Sequence, residues 1–171
     1  MNKKTPSMAR QGHKYKVACL GGTFDIPIHK GHEALLRKAF ACADYCNIGL
    51  VTDEYAWRKG KRSIKSFDER KAGLVKFLSS MKVGSKRYRI TGLDNFFDEG
   101  LLAKTCKVEA VVVSTETLPG ARGINIIRED YDLKPLEIVE VAMVRAKDGL
   151  PISSTRIRTE EIDKNGKILR K

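Results

Sequence analysis

Apolar residues fall along this chain in two alternating rhythms, short continuous runs and longer stretches spaced by three and four. Ile48-Gly49-Leu50-Val51 and Ala110-Val111-Val112-Val113 are continuous runs, as strands covered on both faces should be. Leu74, Phe77, Leu78 and Met81 recur at helical spacing, the stripe of a helix packed on a sheet. The pattern predicts strands over Lys16–Leu20, Asn47–Thr52, Arg87–Thr91, Ala110–Ser114 and Leu136–Met143. Helices are predicted over Lys30–Ala43, Phe67–Met81, Phe97–Lys104 and Gly123–Asp130.

Strand and helix alternate, which implies a single-domain, Rossmann-like α/β fold: a doubly wound parallel sheet of about five strands with helices on both faces. Ligands of such sheets bind beyond the carboxyl ends of the strands, near the point where strand order reverses. The polar segments obey that rule. Gly21–His32 follows the first strand, Asp53–Lys65 the second, Thr115–Arg122 the fourth and Ile152–Arg158 the fifth. Segments remote in sequence then converge on one crevice.

Composition narrows the function. The 171 residues suit one domain with a sizeable core. No apolar run approaches the ~20 residues of a membrane span, and the basic N-terminus lacks the apolar stretch of a secretory signal. A cytoplasmic protein is the default expectation. Thirty-three Lys and Arg against 21 Asp and Glu give a net charge of +12, which favours anionic partners. Part of the excess sits at the chain ends, read as a basic arm over residues 1–14 and a basic tail over 161–171 around a domain spanning 15–160, and the rest clusters around Arg58–Lys65. That distribution favours phosphorylated small molecules over nucleic acid. The four cysteines show no CxxC pair; Cys42 and Cys46 are spaced to share a helix face, and all four are read as structural thiols.

The chemistry concentrates in Gly21-Gly22-Thr23-Phe24-Asp25-Ile26-Pro27-Ile28-His29-Lys30-Gly31-His32. A strand leads into this stretch and a helix leads out of it. Glycines allow a phosphate close to the backbone, and a helix start offers free N–H groups and a positive dipole end. Imidazoles beside it can donate to negative oxygens. His29 and His32 share a helix face, but only Glu33 stands near them as a further ligand, so no resident metal is expected. Asp25 is read as ordering the turn or holding a side chain of a loop. A second constellation, Ile152-Ser153-Ser154-Thr155-Arg156-Ile157-Arg158, opens a helix after Pro151. Hydroxyl residues at a helix start cap N–H groups, and with arginines beside them the same geometry cradles β- and γ-phosphates. Arg58–Arg62 reads as a flexible basic loop, and Arg70 as a partner for a nearby acid.

The first stretch resembles the phosphate-binding signature of the HxGH nucleotidyltransferase superfamily, and the second its ISSTxIR element. Val113-Ser114-Thr115-Glu116-Thr117, with Gly120, Ala121, Arg122, Asn125 and Arg128, narrows the resemblance to the archaeal-type phosphopantetheine adenylyltransferases. It covers most of residues 15–160. The resemblance implies transfer of AMP from ATP to 4′-phosphopantetheine, giving dephospho-CoA and pyrophosphate, with Mg²⁺ accompanying ATP. Coenzyme A is implied as a product-like ligand. Catalytic roles fall on His29, His32, and Lys59 or Lys61. Gly22, Thr23, Phe24 and Gly31 would meet phosphates, Thr115, Glu116 and Arg122 the nucleotide, and Ser153, Ser154, Thr155 and Arg156 the leaving pyrophosphate. Rival readings are transfer to another phosphorylated acceptor (FMN, nicotinamide mononucleotide, or glycerol 3-phosphate with CTP) and a nucleotide-binding module without catalysis.

Overall fold

The computed structural model describes residues 12–169; most of the expected N-terminal arm lies outside them. Five parallel strands form one sheet: β1 (Tyr15–Gly22), β2 (Ala43–Val51), β3 (Tyr88–Leu93), β4 (Ala110–Ser114) and β5 (Glu137–Val141). Their spatial order is β3-β2-β1-β4-β5, so the strand order reverses between β1 and β4, where the expected crevice lies. The helices are α1 (Lys30–Cys42), α2 (Asp53–Arg58), α3 (Phe67–Ser80), α4 (Leu118–Asp130) and α5 (Ser154–Arg158).

Side chains alternate between the sheet's faces with period two. Ala18, Leu20, Cys46, Ile48, Leu50, Ala110 and Val112 pack against Leu36, Ala39 and Phe40 of α1 and Leu74 and Leu78 of α3. On the opposite face Cys19, Val111 and Val113 meet Ala121 and Ile124 of α4 together with Leu101 and Leu136. That second face is only half covered. The helix expected over Phe97–Lys104 is a single 3₁₀ turn at Glu99–Leu102, capped by the Asp98 side chain on the Gly100 amide. So short a turn roofs little of the sheet, and a cavity remains above β2 and β3.

Other boundaries also differ. β2 starts at Ala43, directly at the end of α1, because the buried Ala43 and Cys46 continue the strand alternation. Cys46 therefore lies in a strand and shares no helix face with Cys42. All four cysteines are free, and burial pushes the Cys19 and Cys46 thiols up to about 12. Helix α2 leads into the expected basic loop and ends at its first residue, Arg58; Thr52 caps the helix by accepting from the Tyr55 amide. The basic tail from residue 161 is instead a packed hairpin through Leu169. Ile162 is fully buried with Ala146 and Ile152 and bridges to Ile168.

Candidate active site

The end of β1 sets the site. Phe24 is fully buried in a left-handed conformation, φ 45°, which turns the chain sharply off the strand and lays its ring beneath His32, with centroids 5.1 Å apart. Asp25, 2% exposed, is a three-way clamp. Its Oδ1 accepts from the amides of Ile26 and Lys65, and its Oδ2 from Arg158 Nη1 at 2.6 Å. One carboxylate thus joins three segments spread over 133 positions of sequence. Arg70, fully buried on α3, ties the same region: it donates to the carbonyls of Lys65, Thr23 and Val51 and to Asp53 Oδ1. Its guanidinium is satisfied by structural partners, which accounts for a charge in the core.

His29 caps α1. Its Nδ1 accepts from the amides of Gly31 and His32 at 3.1 and 3.3 Å. The Lys30 amide donates to the Lys164 carbonyl, and the Glu33 amide to the His29 carbonyl. The first four N–H groups of α1 all have partners. The expectation that this helix start offers free amides to a phosphate does not hold; its dipole and its imidazoles remain for that task. Because His29 Nδ1 is an acceptor, the proton of its neutral ring sits on Nε2. Burial lowers His29 to about 4. His32 stacks on it at 3.7 Å between centroids. Burial, then His29, then Lys61 hold His32 well below the ordinary histidine value. Its Nδ1 is buried without a partner, which leaves Nε2 to meet a ligand. Both rings are neutral hydrogen-bond donors at physiological pH. A Cβ at Gly31 would lie 3.0 Å from His29 Cε1, so a side chain there would press on the capping ring.

These groups line a cavity of about 620 Å³ together with Lys59, Lys61, Glu116, Ser153, Ser154, Thr155 and Arg158. Lys61 Nζ donates to Thr23 Oγ1 at 2.7 Å, while Lys59 lies over the Tyr55 ring. Burial and then the neighbouring Lys59 lower the Lys61 ammonium below its ordinary value. Ser153 caps α5 through the Arg156 amide, and Thr155 Oγ1 accepts from Arg158 Nη2. The cavity continues over the half-covered sheet face, past Gly21, Gly49, Asn47 and Thr91 towards Phe96, Phe97 and Leu101.

Three residues expected to bind the nucleotide or pyrophosphate are not brought to the cavity. Arg156 pairs instead with Asp148 and with Glu161 and donates to the Pro151 carbonyl. Arg158 takes the place assigned to it. The helical offset carried this signal: Arg158 stands three and four residues beyond Thr155 and Ser154 and so shares their face, whereas Arg156 does not. Thr115 and Arg122 are exposed and away from the lining; Thr117 is there instead. Asn125 and Arg128 hold backbone: Asn125 brackets Leu136, and Arg128 donates to the carbonyls of Lys134 and Leu101. The polar floor residues Asn47 and Thr91 carried no sequence signal, since in the chain they are only polar members of strands.

A family model described as cytidylyltransferase-like matches residues 19–160. A phosphopantetheine adenylyltransferase of Methanothermobacter thermautotrophicus is 40% identical over 158 residues, 92% of each chain. One from Pyrococcus furiosus is 41% identical over 159 residues, 92% of this chain and 96% of its own. A crystal structure of a protein of unknown function from Archaeoglobus fulgidus superposes with a TM-score of 0.61 at 30% identity, covering 73% of this chain and 97% of that one.

Proposed function

The chain belongs to the phosphopantetheine adenylyltransferase family, within the cytidylyltransferase-like proteins, and from that premise we propose how its own residues carry out transfer of AMP from ATP to 4′-phosphopantetheine. One observation carries the reading: His32, Lys61 and Arg158, from three separate segments, line a single cavity that continues past Asn47, Gly49 and Thr91 to Phe96, Phe97 and Leu101. That shape suits a substrate with a phosphate at one end and an extended arm behind it.

An oxygen of the acceptor phosphate attacks the α-phosphorus of ATP in line; the bond to the bridging oxygen breaks, and pyrophosphate leaves with its electron pair. The attacking phosphate is already anionic, so the step needs positioning and charge stabilisation rather than a base. His32 Nε2–H donates to a non-bridging α-phosphate oxygen, supported by the stacked His29 and the positive end of α1. Lys61, from its bond to Thr23, or Lys59 holds the acceptor phosphate. Ser154, Thr155 and Arg158 receive the leaving pyrophosphate, and Glu116 faces the nucleoside. Mg²⁺ enters with ATP as its complex and is part of the substrate. Four free thiols accord with a reducing cytoplasm.

The test is pyrophosphate release from MgATP with and without 4′-phosphopantetheine. Release that depends on the acceptor supports the reading; acceptor-independent hydrolysis would count against it.

A further inference from the structure

The start of α1 is held from outside by the last described segment of the chain. The Lys30 amide donates to the Lys164 carbonyl at 3.1 Å. Lys164 sits in the turn of the hairpin over residues 161–169, which is closed by Asp163 N–H to the Lys167 carbonyl and Leu169 N–H to the Glu161 carbonyl. Asp163 Oδ1 tightens the turn by accepting from the amides of Asn165 and Lys167. The other side of the hairpin is seated on the segment that leads into α5. Ile162, fully buried, packs with Ile152 and Ala146, and the Lys147 amide donates to the Gly166 carbonyl. Gly166 has φ 82°, and a Cβ there would lie 2.8 Å from Ile152 Cδ1 and 2.9 Å from Ala146 Cα. Only glycine lets the hairpin approach so closely. Glu161 adds an ion pair to Arg156 inside α5.

We propose that this C-terminal hairpin is a positioning element of the transfer site, fixing the imidazole-bearing start of α1 at a set distance from the Ser153–Arg158 turn. The inference rests on the adenylyltransferase reading above. The two halves of the phosphate site are also joined by the Asp25–Arg158 ion pair. The hairpin adds a contact to each half from the side away from the substrate. It touches no reacting atom, so its effect is on alignment, where a displacement on the order of 1 Å can cost about a hundredfold in rate.

One substitution isolates the link. Lys30 is the first residue of α1, a position where proline is favoured because its missing N–H needs no helical partner. The preceding His29 has φ −104° and ψ 172°, the extended conformation that proline demands of its neighbour. Lys30→Pro therefore deletes the donor to Lys164 and leaves the helix able to form. Lys30→Ala removes the same exposed side chain and its Glu33 ion pair but keeps the amide. With MgATP and 4′-phosphopantetheine, Lys30→Ala is expected to turn over within about threefold of wild type. Lys30→Pro should lose about tenfold or more in kcat while its KM for ATP and its thermal midpoint stay with Lys30→Ala. Equal kcat in the two variants, or a loss in Lys30→Pro matched by a fall in thermal midpoint alone, would overturn the proposal. Wild type without turnover on this acceptor would defeat the activity reading, not this one. The decision then passes to the imidazole ¹⁵N resonances of His29 and His32: displacement in Lys30→Pro relative to Lys30→Ala supports the brace, and coincidence overturns it.

Discussion

His29 and His32 stand three residues apart and do different work. His29 spends Nδ1 on capping α1, and the cap fixes its tautomer and plane. His32 stacks on that plane and presents Nε2 to the cavity. His32→Ala is expected to lower kcat by about a hundredfold or more with a much smaller change in KM for ATP, since the contact strengthens as charge develops. A rise in KM with kcat intact would remove His32 from the chemistry. Gly31→Ala should reproduce much of the kcat loss although it removes no functional group, because its Cβ would press on His29 at 3.0 Å. Steady-state kinetics of that variant tests the claim.

The cap also sets a pH dependence. His29 is lowered from 6.5 to about 4 by burial, so its neutral form favours the folded protein. That contribution is complete above pH 6.5 and is lost as pH falls from there towards 4, amounting to about 3 kcal/mol. His29→Asn keeps a capping acceptor without a titrating ring. Urea unfolding should show wild type losing stability over that interval and His29→Asn losing distinctly less. Parallel curves for the two proteins would mean that His29 does not titrate as its burial requires.

At the scale of elements, the two arginines of α5 separate by role. Arg158 shares the cavity with Ser154 and Thr155 and is held by Asp25; Arg156 is an ion-pair anchor outside it. Arg158→Ala should impair turnover strongly, whereas Arg156→Ala should act mainly on thermal stability, a contrast that parallel kinetics and melting would show. Removing the Asp25 carboxylate by Asp25→Ala leaves Arg158 and the Lys65 amide without their partner and should cost about 3 kcal/mol as well as activity, read by denaturant titration. Much of this layout was legible in the chain. The alternation of continuous runs with helical stripes locates all five strands and both large helices that cover one face. The glycine- and histidine-bearing turn and the hydroxyl-rich helix start are the two segments that meet across the cavity. What the chain did not disclose is tertiary. The partners of the α1 amides come from a histidine side chain and from residue 164. A six-residue α2 is too short to leave a periodic signature, and Phe97–Lys104 is apolar enough to suggest a helix but too short to sustain one beyond a 3₁₀ turn.

Across the whole molecule, the uneven cover of the sheet is what makes room for a long acceptor. One face is sealed by α1 and α3. The other is sealed only where α4 lies, leaving the cavity to run from His32, Lys61 and Arg158 at the β1–β4 switch point over Gly49, Asn47 and Thr91. The positive charge of the chain supports the same direction of binding, since Lys59, Lys61 and Arg158 line the cavity with His32, while Phe96, Phe97 and Leu101 line it with the polar Asn47 and Thr91.

The most direct measurement is the identity of the product formed by purified protein with MgATP and 4′-phosphopantetheine, set beside FMN, nicotinamide mononucleotide, and glycerol 3-phosphate with CTP, by mass spectrometry and pyrophosphate release. Dephospho-CoA and pyrophosphate in equal amounts, from phosphopantetheine alone among these acceptors, is the predicted result. A nucleotidylated product from a different acceptor, with none from phosphopantetheine, would contradict it.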